Sequence, residues 1–306
     1  MKENHEKRRK ISTAVWYAAG IVFWIVLWLI VSLAVGKEII LPSPASVAKE
    51  FVRLLGTGDF YLSLLRSFAS IIAGFLAGNV LGVVLGTFAG LSKPFRAFMS
   101  PAMTVIKATP VASFIIIVLI WLGKALTPAF ISFLIVLPIV WQNVMSGFDS
   151  ADPGLLEMAR VFEFSTWRKI RYIYAPAASE SYAAAVKTSM GLAWKAGVAA
   201  EVLAGTAKTL GGQIYSTKVY LEVPQLFAWT VAVIVFSLLI ELEASSVVKL
   251  AGRRGKSGNN RKSEEAEKGA EKSAEAGQNT GSDETGKASA NPEITEIPEG
   301  GAPHEP

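Results

Sequence analysis

Long apolar runs separated by short polar stretches set the pattern of this chain. Ile11 to Gly36 holds no charged residue and is opened by Lys7-Arg8-Arg9-Lys10, and Ser67 to Ser92 is a second charge-free run. A third segment covers Ala97 to Gly123, interrupted only by Lys107, and a fourth covers Ala125 to Phe148. Polar residues return between Asp149 and Glu180. A fifth apolar segment, Ser181 to about Ala204, carries Lys187 and Lys195, and a sixth, Val223 to about Leu250, has Glu241 and Glu243 near its end. A bilayer core of roughly 30 Å takes about 20 apolar residues per helix. The pattern therefore predicts an all-α integral membrane protein with six transmembrane helices. The first run is too long and too rich in Trp for a cleaved signal peptide, so it reads as a retained helix. Trp16, Trp24, Trp28 and Trp121 suit interfacial or lipid-facing positions.

Charge then orients the chain. With the N-terminus inside, the inner segments hold 15 Lys/Arg and the outer segments 7, and Lys and Arg favour the cytoplasmic side. Both termini and the 149–180 loop are thus expected in the cytoplasm of a multi-pass cell-membrane protein. Residues up to Lys256 carry 25 Lys/Arg against 14 Asp/Glu, whereas Ser257 to Pro306 carry 5 against 11. That last stretch has no aromatic residue, and Ile294 and Ile297 are its only bulky aliphatics, a composition that predicts a disordered acidic cytoplasmic tail. The expected organisation is a cytoplasmic N-terminus over 1–10, a first helix and outer loop over 11–60, a transmembrane domain over 61–252 and the tail over 253–306. With no cysteine and only His5 and His304 as histidines, both in polar ends, Cys-ligated metal, disulfide and histidine chemistry are excluded. No metal site, cofactor, catalytic residue or nucleic-acid partner is expected.

Gly74, Gly78, Gly82, Gly86 and Gly90 recur every four residues in the second run. Four residues turn a helix by about 400°, so they form one side-chain-free stripe along which two backbones can approach closely. Packing within one subunit and a sliding surface at a subunit interface both fit.

The 149–180 loop carries two short amphipathic helices by its signals. Asp152 is a natural N-cap with Pro153 at the first helical position. Leu155, Ala159 and Phe162 then fall at i, i+4 and i+7 as an apolar stripe. Ser165 or Thr166 can cap a second helix through Trp167-Arg168-Lys169-Ile170, which should stop before Pro176. Such a loop lies on headgroups or docks into a partner's groove.

The run from Glu157-Met158-Ala159-Arg160 to Tyr174-Ala175-Pro176 resembles the coupling loop of ABC importer permeases. That loop begins Glu-Ala-Ala, has Gly four residues after the second Ala, and closes on an apolar residue followed by Pro. Glu157, Ala159 and Pro176 match; Met158 stands for an Ala, Glu163 for the Gly and Ala175 for the usual Leu. Leu41-Pro42-Ser43-Pro44, Ala89-Gly90-Leu91-Ser92, the stretch from Gly191-Leu192-Ala193-Trp194 to Ala200-Glu201, and Thr209-Leu210-Gly211 are similar to the nitrate/sulfonate/taurine-type subfamily. Together these cover roughly residues 38 to 252. The resemblance implies a type I importer permease fold, with Asp152, Glu157, Met158, Ala159, Phe162, Glu163 and Pro176 in the ATPase-coupling loop. It implies as partners a separate ABC ATPase, an extracytoplasmic solute-binding protein and a second permease subunit, as a homodimer, in the lipid bilayer. It implies passage of a small solute, an organic or inorganic anion such as sulfonate, taurine or nitrate. A left-handed turn at Glu163 would cost roughly 1–2 kcal/mol, so a changed turn or a continued helix is expected there.

Charges within the spans are the pathway candidates. Lys187 can snorkel to the boundary, but Lys195 lies roughly 21 Å in from Ser181 at 1.5 Å per residue, so it should face a cavity or a partner. It could line an anion pathway or form an interhelical pair. Glu201, six residues on, sits about 120° away around the helix and suits a local anchor or outer gate. Lys107 precedes Pro110, where a kink is expected. No GxxxxGK[ST] loop is present, so ATP must be bound by another chain. A stand-alone secondary transporter predicts inverted repeats and midplane charge pairs, and a membrane enzyme predicts clustered catalytic groups. The sequence carries neither an evident repeat nor such a cluster.

Overall fold

A computed structural model describes the backbone of residues 2–243 and the side chains from Val15 onward. The expected tail and the last residues of the sixth apolar segment lie outside the described residues. Those described are mainly helical, without a strand. Helix α1 (Lys2–Val35) ends where Gly36 turns left-handed at φ 63. Helix α2 (Pro44–Leu55) and helix α9 (Leu210–Val219) occupy stretches read from the sequence only as outer loops. Their caps were the available signal: Ser43 Oγ accepts from Ser46 N at 3.1 Å ahead of Pro44, and Thr209 Oγ1 accepts from Gly212 N at 3.0 Å.

Helix α3 (Gly58–Leu91) begins well before the charge-free run, because Asp59, Ser63 and Arg66 occur within helical turns without breaking them. Helix α4 (Lys93–Ala108) starts at a Ser92 cap. The expected kink at Pro110 is instead a full break. Thr109 (φ −77, ψ 132) and Pro110 (φ −58, ψ 129) are both extended, since proline drives the residue before it out of the helical region. Helix α5 (Val111–Asp149) is 39 residues and is divided by Gly123 at φ 72, ψ 176, a conformation that glycine tolerates best. Helices α6 (Pro153–Val161) and α7 (Thr166–Lys169) follow. The predicted stop before Pro176 does not occur. A π-helical turn over Ile170–Tyr174 carries the chain into α8 (Ala175–Ala204), with Ala175 N bonded to Ile170 O. The wider turn makes room for the proline ring, which would crowd a regular helix. Helix α10 covers Val223–Glu243.

Val15–Val35, Gly58–Leu91, Val111–Asp149 and Val223–Glu243 are long and apolar enough to cross a membrane. Helix α8, with 30 residues, has the length but is less apolar. Trp16, Trp24 and Trp121 are exposed, whereas Trp28 stacks on Phe227 of α10 at 6.1 Å and ties α1 to the bundle.

The glycine stripe faces the second half of α5 in the same chain. A Cβ at Gly74 would run into the backbone of Ala129; at Gly78, Gly82 and Gly86 it would meet Val136, Val140 and Val144 at 2.8, 2.8 and 2.9 Å; at Gly90 it would meet Phe148. Partners advance in step with the glycines, so the two helices run parallel and contact through every-fourth-residue rows. Helix α8 packs on α5, where Gly147 lies against Ala178, and also reaches α3, where its Gly197 lies against Ile71. Phe75, Val136, Val140, Val144 and Ala193 form the core of this three-helix unit. A second core gathers Phe60, Ile71, Trp194, Leu210 and Trp229 from α3, α8, α9 and α10.

Replacing Gly82 with Leu should lower stability by about 1–3 kcal/mol through overpacking. Thermal unfolding of the detergent-solubilised chain should read this as a reduced midpoint, partly restored when Val140→Ala is added.

Candidate functional site

Three features bear on function: a cavity in the bundle, a buried carboxylate beneath α9, and the loop between α5 and α8. The cavity, of about 420 Å³, lies between the α4–α5 break, the second half of α5 and α8. It brings Lys107 and Lys195 together. Thr109 and Val111, which flank Pro110, also line it, so the break opens onto this space. The remaining wall is apolar, with Phe114, Ile131, Leu134 and Pro138 among its residues.

Lys195 is both cavity-lining and paired. Its Nζ donates to Glu241 Oε1 of α10 at 2.8 Å, and both side chains are partly exposed. Across from it, Gly191 leaves room for the Glu241 side chain, one turn before Lys195 on α8. Glu241 was noted in the sequence only as a charge near the end of an apolar run; no intrahelical spacing could have matched it to Lys195.

Glu201 is not brought to the cavity. It is fully buried, and its Oε2 accepts from Ser67 Oγ at 2.7 Å and from Gly211 N at 3.0 Å. Ser67 Oγ in turn accepts from Leu210 N at 2.8 Å. The carboxylate thus satisfies the open amides at the start of α9 and joins α3, α8 and α9. Gly211 is required by the close approach, since a Cβ there would collide with that of Glu201. At the opposite end of α3 and α5, Arg96 makes a two-pronged pair with Asp149 (3.0 and 2.7 Å) and donates from Nε to Ala89 O at 3.2 Å. Neither Ser67 nor this arginine pair was singled out in the sequence, because their partners lie 134 and 53 positions away.

In the loop, Asp152 Oδ1 accepts from Gly154 N at 2.8 Å, as its N-cap position predicts. The predicted apolar stripe divides. Ala159 is fully buried and packs with Leu156, Phe164 and Ile173, whereas Leu155 and Phe162 are exposed, as are Met158 and Val161. Glu157 and Pro176 are exposed too. At Glu163 the structure overturns the expected change of turn, for the left-handed conformation is kept at φ 49. Glu163 N bonds to Arg160 O at 3.2 Å and Phe164 N to Ala159 O at 2.9 Å, a Schellman closure with Glu163 where Gly is usual. Phe164 seated beside Ala159 supplies the accompanying apolar contact, which holds the residue in place against its backbone preference.

Among the described residues no group of three or more His, Cys, Asp or Glu could hold a metal ion. Residues 78–254 match the model of the binding-protein-dependent transport system inner membrane component family. The chain belongs to this family: it is a membrane-spanning permease subunit of an ABC importer, and ATP hydrolysis is left to a separate ATPase. It is 29% identical over 255 residues to the riboflavin transport system permease protein RibX of Chloroflexus aurantiacus, covering 80% of this chain and 93% of that one. It is 22% identical to the taurine transport system permease protein TauC of Escherichia coli, covering 70% and 80%. In fold it is similar to a bacterial ABC transporter involved in alginate import, with TM-score 0.56 at 17% identity over 78% of this chain and 96% of that chain.

Glu163→Gly should relieve the left-handed strain, about 1–2 kcal/mol. Hydrogen exchange of the amides of Glu163 and Phe164 should slow by about tenfold if the whole gain goes into the closed turn, with α6 unchanged in extent.

Proposed function

We propose that this permease spans the membrane six times with both termini in the cytoplasm, works as one half of a homodimer, and couples to its ATPase through the 152–176 loop. The division of α5 at Gly123 and the break at Thr109–Pro110 support the count. Helix α4 with the first part of α5 makes one crossing, the rest of α5 the next, and α8 the fifth. In this arrangement α6 faces the cytoplasm and α2 and α9 face outward, where the solute-binding protein docks.

One observation carries the coupling role. Helix α6 is closed at both ends, by Asp152 and by the Glu163 turn, and anchored by Ala159 on Ile173 beside the root of α8. It turns Leu155, Met158, Val161 and Phe162 away from its own chain. A short capped helix with an apolar outer face suits a partner's groove and transmits a rigid-body motion into α8 through the π-helical turn. The transported solute is a small anion, in keeping with the cations at the cavity.

The test is purification in mild detergent with identification of bound proteins. A stoichiometric ATPase should accompany the chain and be lost from Met158→Asp and Phe162→Asp, exposed positions whose change leaves the fold intact. Retention of ATPase by both variants would move the docking site elsewhere. Absence of ATPase from the unaltered chain would favour a transporter acting alone.

The lack of cysteine also makes topology directly measurable. A membrane-impermeant maleimide should label Lys218→Cys in intact cells and leave Arg168→Cys unlabelled until the membrane is opened. The reverse pattern would invert the assignment.

A further inference from the structure

The proposed topology sets the 149–180 loop at the inner face of the bilayer, and the second half of the loop exposes a different surface from the first. We infer that α7 and the π-helical turn form a headgroup site for anionic phospholipid. Arg168 and Arg171 take the phosphate, and Trp167 and Tyr172 lie at the membrane–water boundary beside it. The inference rests on that topology for the leaflet concerned and on the surface itself for the ligand.

The segment is two-sided because its inner edge is already occupied. Ile173 is buried beside Ala159, and Tyr174 stacks on Phe148 of α5 with 4.5 Å between ring centres. The other edge faces away from the chain. Trp167 and Arg171 are four residues apart, as are Arg168 and Tyr172, so two aromatics and two arginines are neighbours on it. Trp167 is 68% exposed and Tyr172 64%, which for rings of this size calls for a cover. The Arg171 guanidinium lies 6.0 Å from the centre of the Tyr172 ring, so cation and aromatic are presented together.

Charge names the cover. From Phe164 to Ser179 there are three cations, Arg168, Lys169 and Arg171, and no Asp or Glu. None of the three forms an ion pair among the described residues. The outer face of α6 is apolar by contrast, so the two halves of the loop suit different surfaces. Trp and Tyr are the side chains favoured at a membrane boundary, and an anionic leaflet attracts cations held close to it. The place in the chain agrees, since Tyr172 lies within one turn of Ala175, where α8 begins. Lipid held there fixes the depth of the α8 root and leaves the apolar face of α6 to the ATPase.

The test titrates the full chain, held in an uncharged detergent, with phosphatidylglycerol or phosphatidylcholine and resolves bound lipid by native mass spectrometry. Phosphatidylglycerol should bind at least about tenfold more tightly than phosphatidylcholine, since each cation near an anionic headgroup contributes about fivefold. Arg168→Gln combined with Arg171→Gln should weaken phosphatidylglycerol by about tenfold or more and leave phosphatidylcholine unchanged. Arg168→Lys with Arg171→Lys should keep most of the affinity. Lys49→Gln with Lys218→Gln removes as much charge from exposed positions on α2 and α9 and should have no effect. Equal affinity for the two lipids, or an equal loss from the Lys49 and Lys218 changes, would overturn the inference. So would displacement of phosphatidylglycerol by glycerophosphoglycerol at the same concentration, which would assign the cations to a free phosphoester. Loss of the co-purifying ATPase from the Arg168→Gln, Arg171→Gln variant, with phosphatidylglycerol still bound, would give this edge to the ATPase instead. Lipid binding is read without the ATPase and without a leaflet. Absence of ATPase from the unaltered chain, or an inverted maleimide pattern, would therefore strike the proposed function and not this site.

Discussion

Backbone-to-backbone contact between α3 and the second half of α5 is the constraint on which the rest of this structure depends. In a bilayer, lipid competes on equal terms for apolar side chains, so helices associate where their surfaces fit most closely. Five glycines spaced by four remove every side chain from one face of α3, and Ala129, Val136, Val140, Val144 and Phe148 of α5 fill the groove they leave. Because the two rows advance together, register, direction and separation are set at once. Helix α8 then docks against both, where Gly147 of α5 meets Ala178 and Gly197 of α8 admits Ile71 of α3 and Ser132 of α5. The cavity wall on α5 and the root of the loop at α8 both inherit their positions from this unit.

Polar groups fasten the unit at its two ends. Glu201 reaches Ser67 and the amide of Gly211, so α9 is held to α3 and α8 by a carboxylate that would be expensive to bury without these donors. Arg96 spans Asp149 and the Ala89 carbonyl, closing the last turns of α3 and α5 together. These bonds link residues far apart in sequence and exist only once the helices have packed. That explains why Glu201 could be read as an anchor from its position on α8 while its partners could not be read at all.

Local signals were legible and long-range ones were not. The Asp152 cap, the glycine stripe and the division near Gly123 follow from residues within one or two turns of each other. The loop stripe failed at Leu155 and Phe162 because helical spacing says which residues share a face, not which face meets protein; Ala159 was drawn inward by Ile173, which lies in the π-helical turn beyond α7. Glu163 misled for a related reason. Its backbone preference argued against a left-handed turn, but the two closing hydrogen bonds and the seat of Phe164 outweigh about 1–2 kcal/mol. Pairing of Lys195 with Glu241 needed the crossing of α8 and α10, which no periodicity encodes.

The same reasoning separates the cavity's walls. Two of them, on α5 and α8, belong to the glycine-packed unit, where a change of even one methylene is resisted. The third runs from Lys107 through the extended Thr109 and Pro110 to Gly123, and it is bounded by non-helical residues at both positions where it could turn. Helix α4 meets the unit through Phe95, Met99, Met103 and Ile106, packed against Leu137, Trp141 and Met145, and the methionines among them keep contact over a range of geometries. Lys107 therefore sits on the least constrained wall and Lys195 on a fixed one. A space built in that way can change width without disturbing the helix pair that carries the loop.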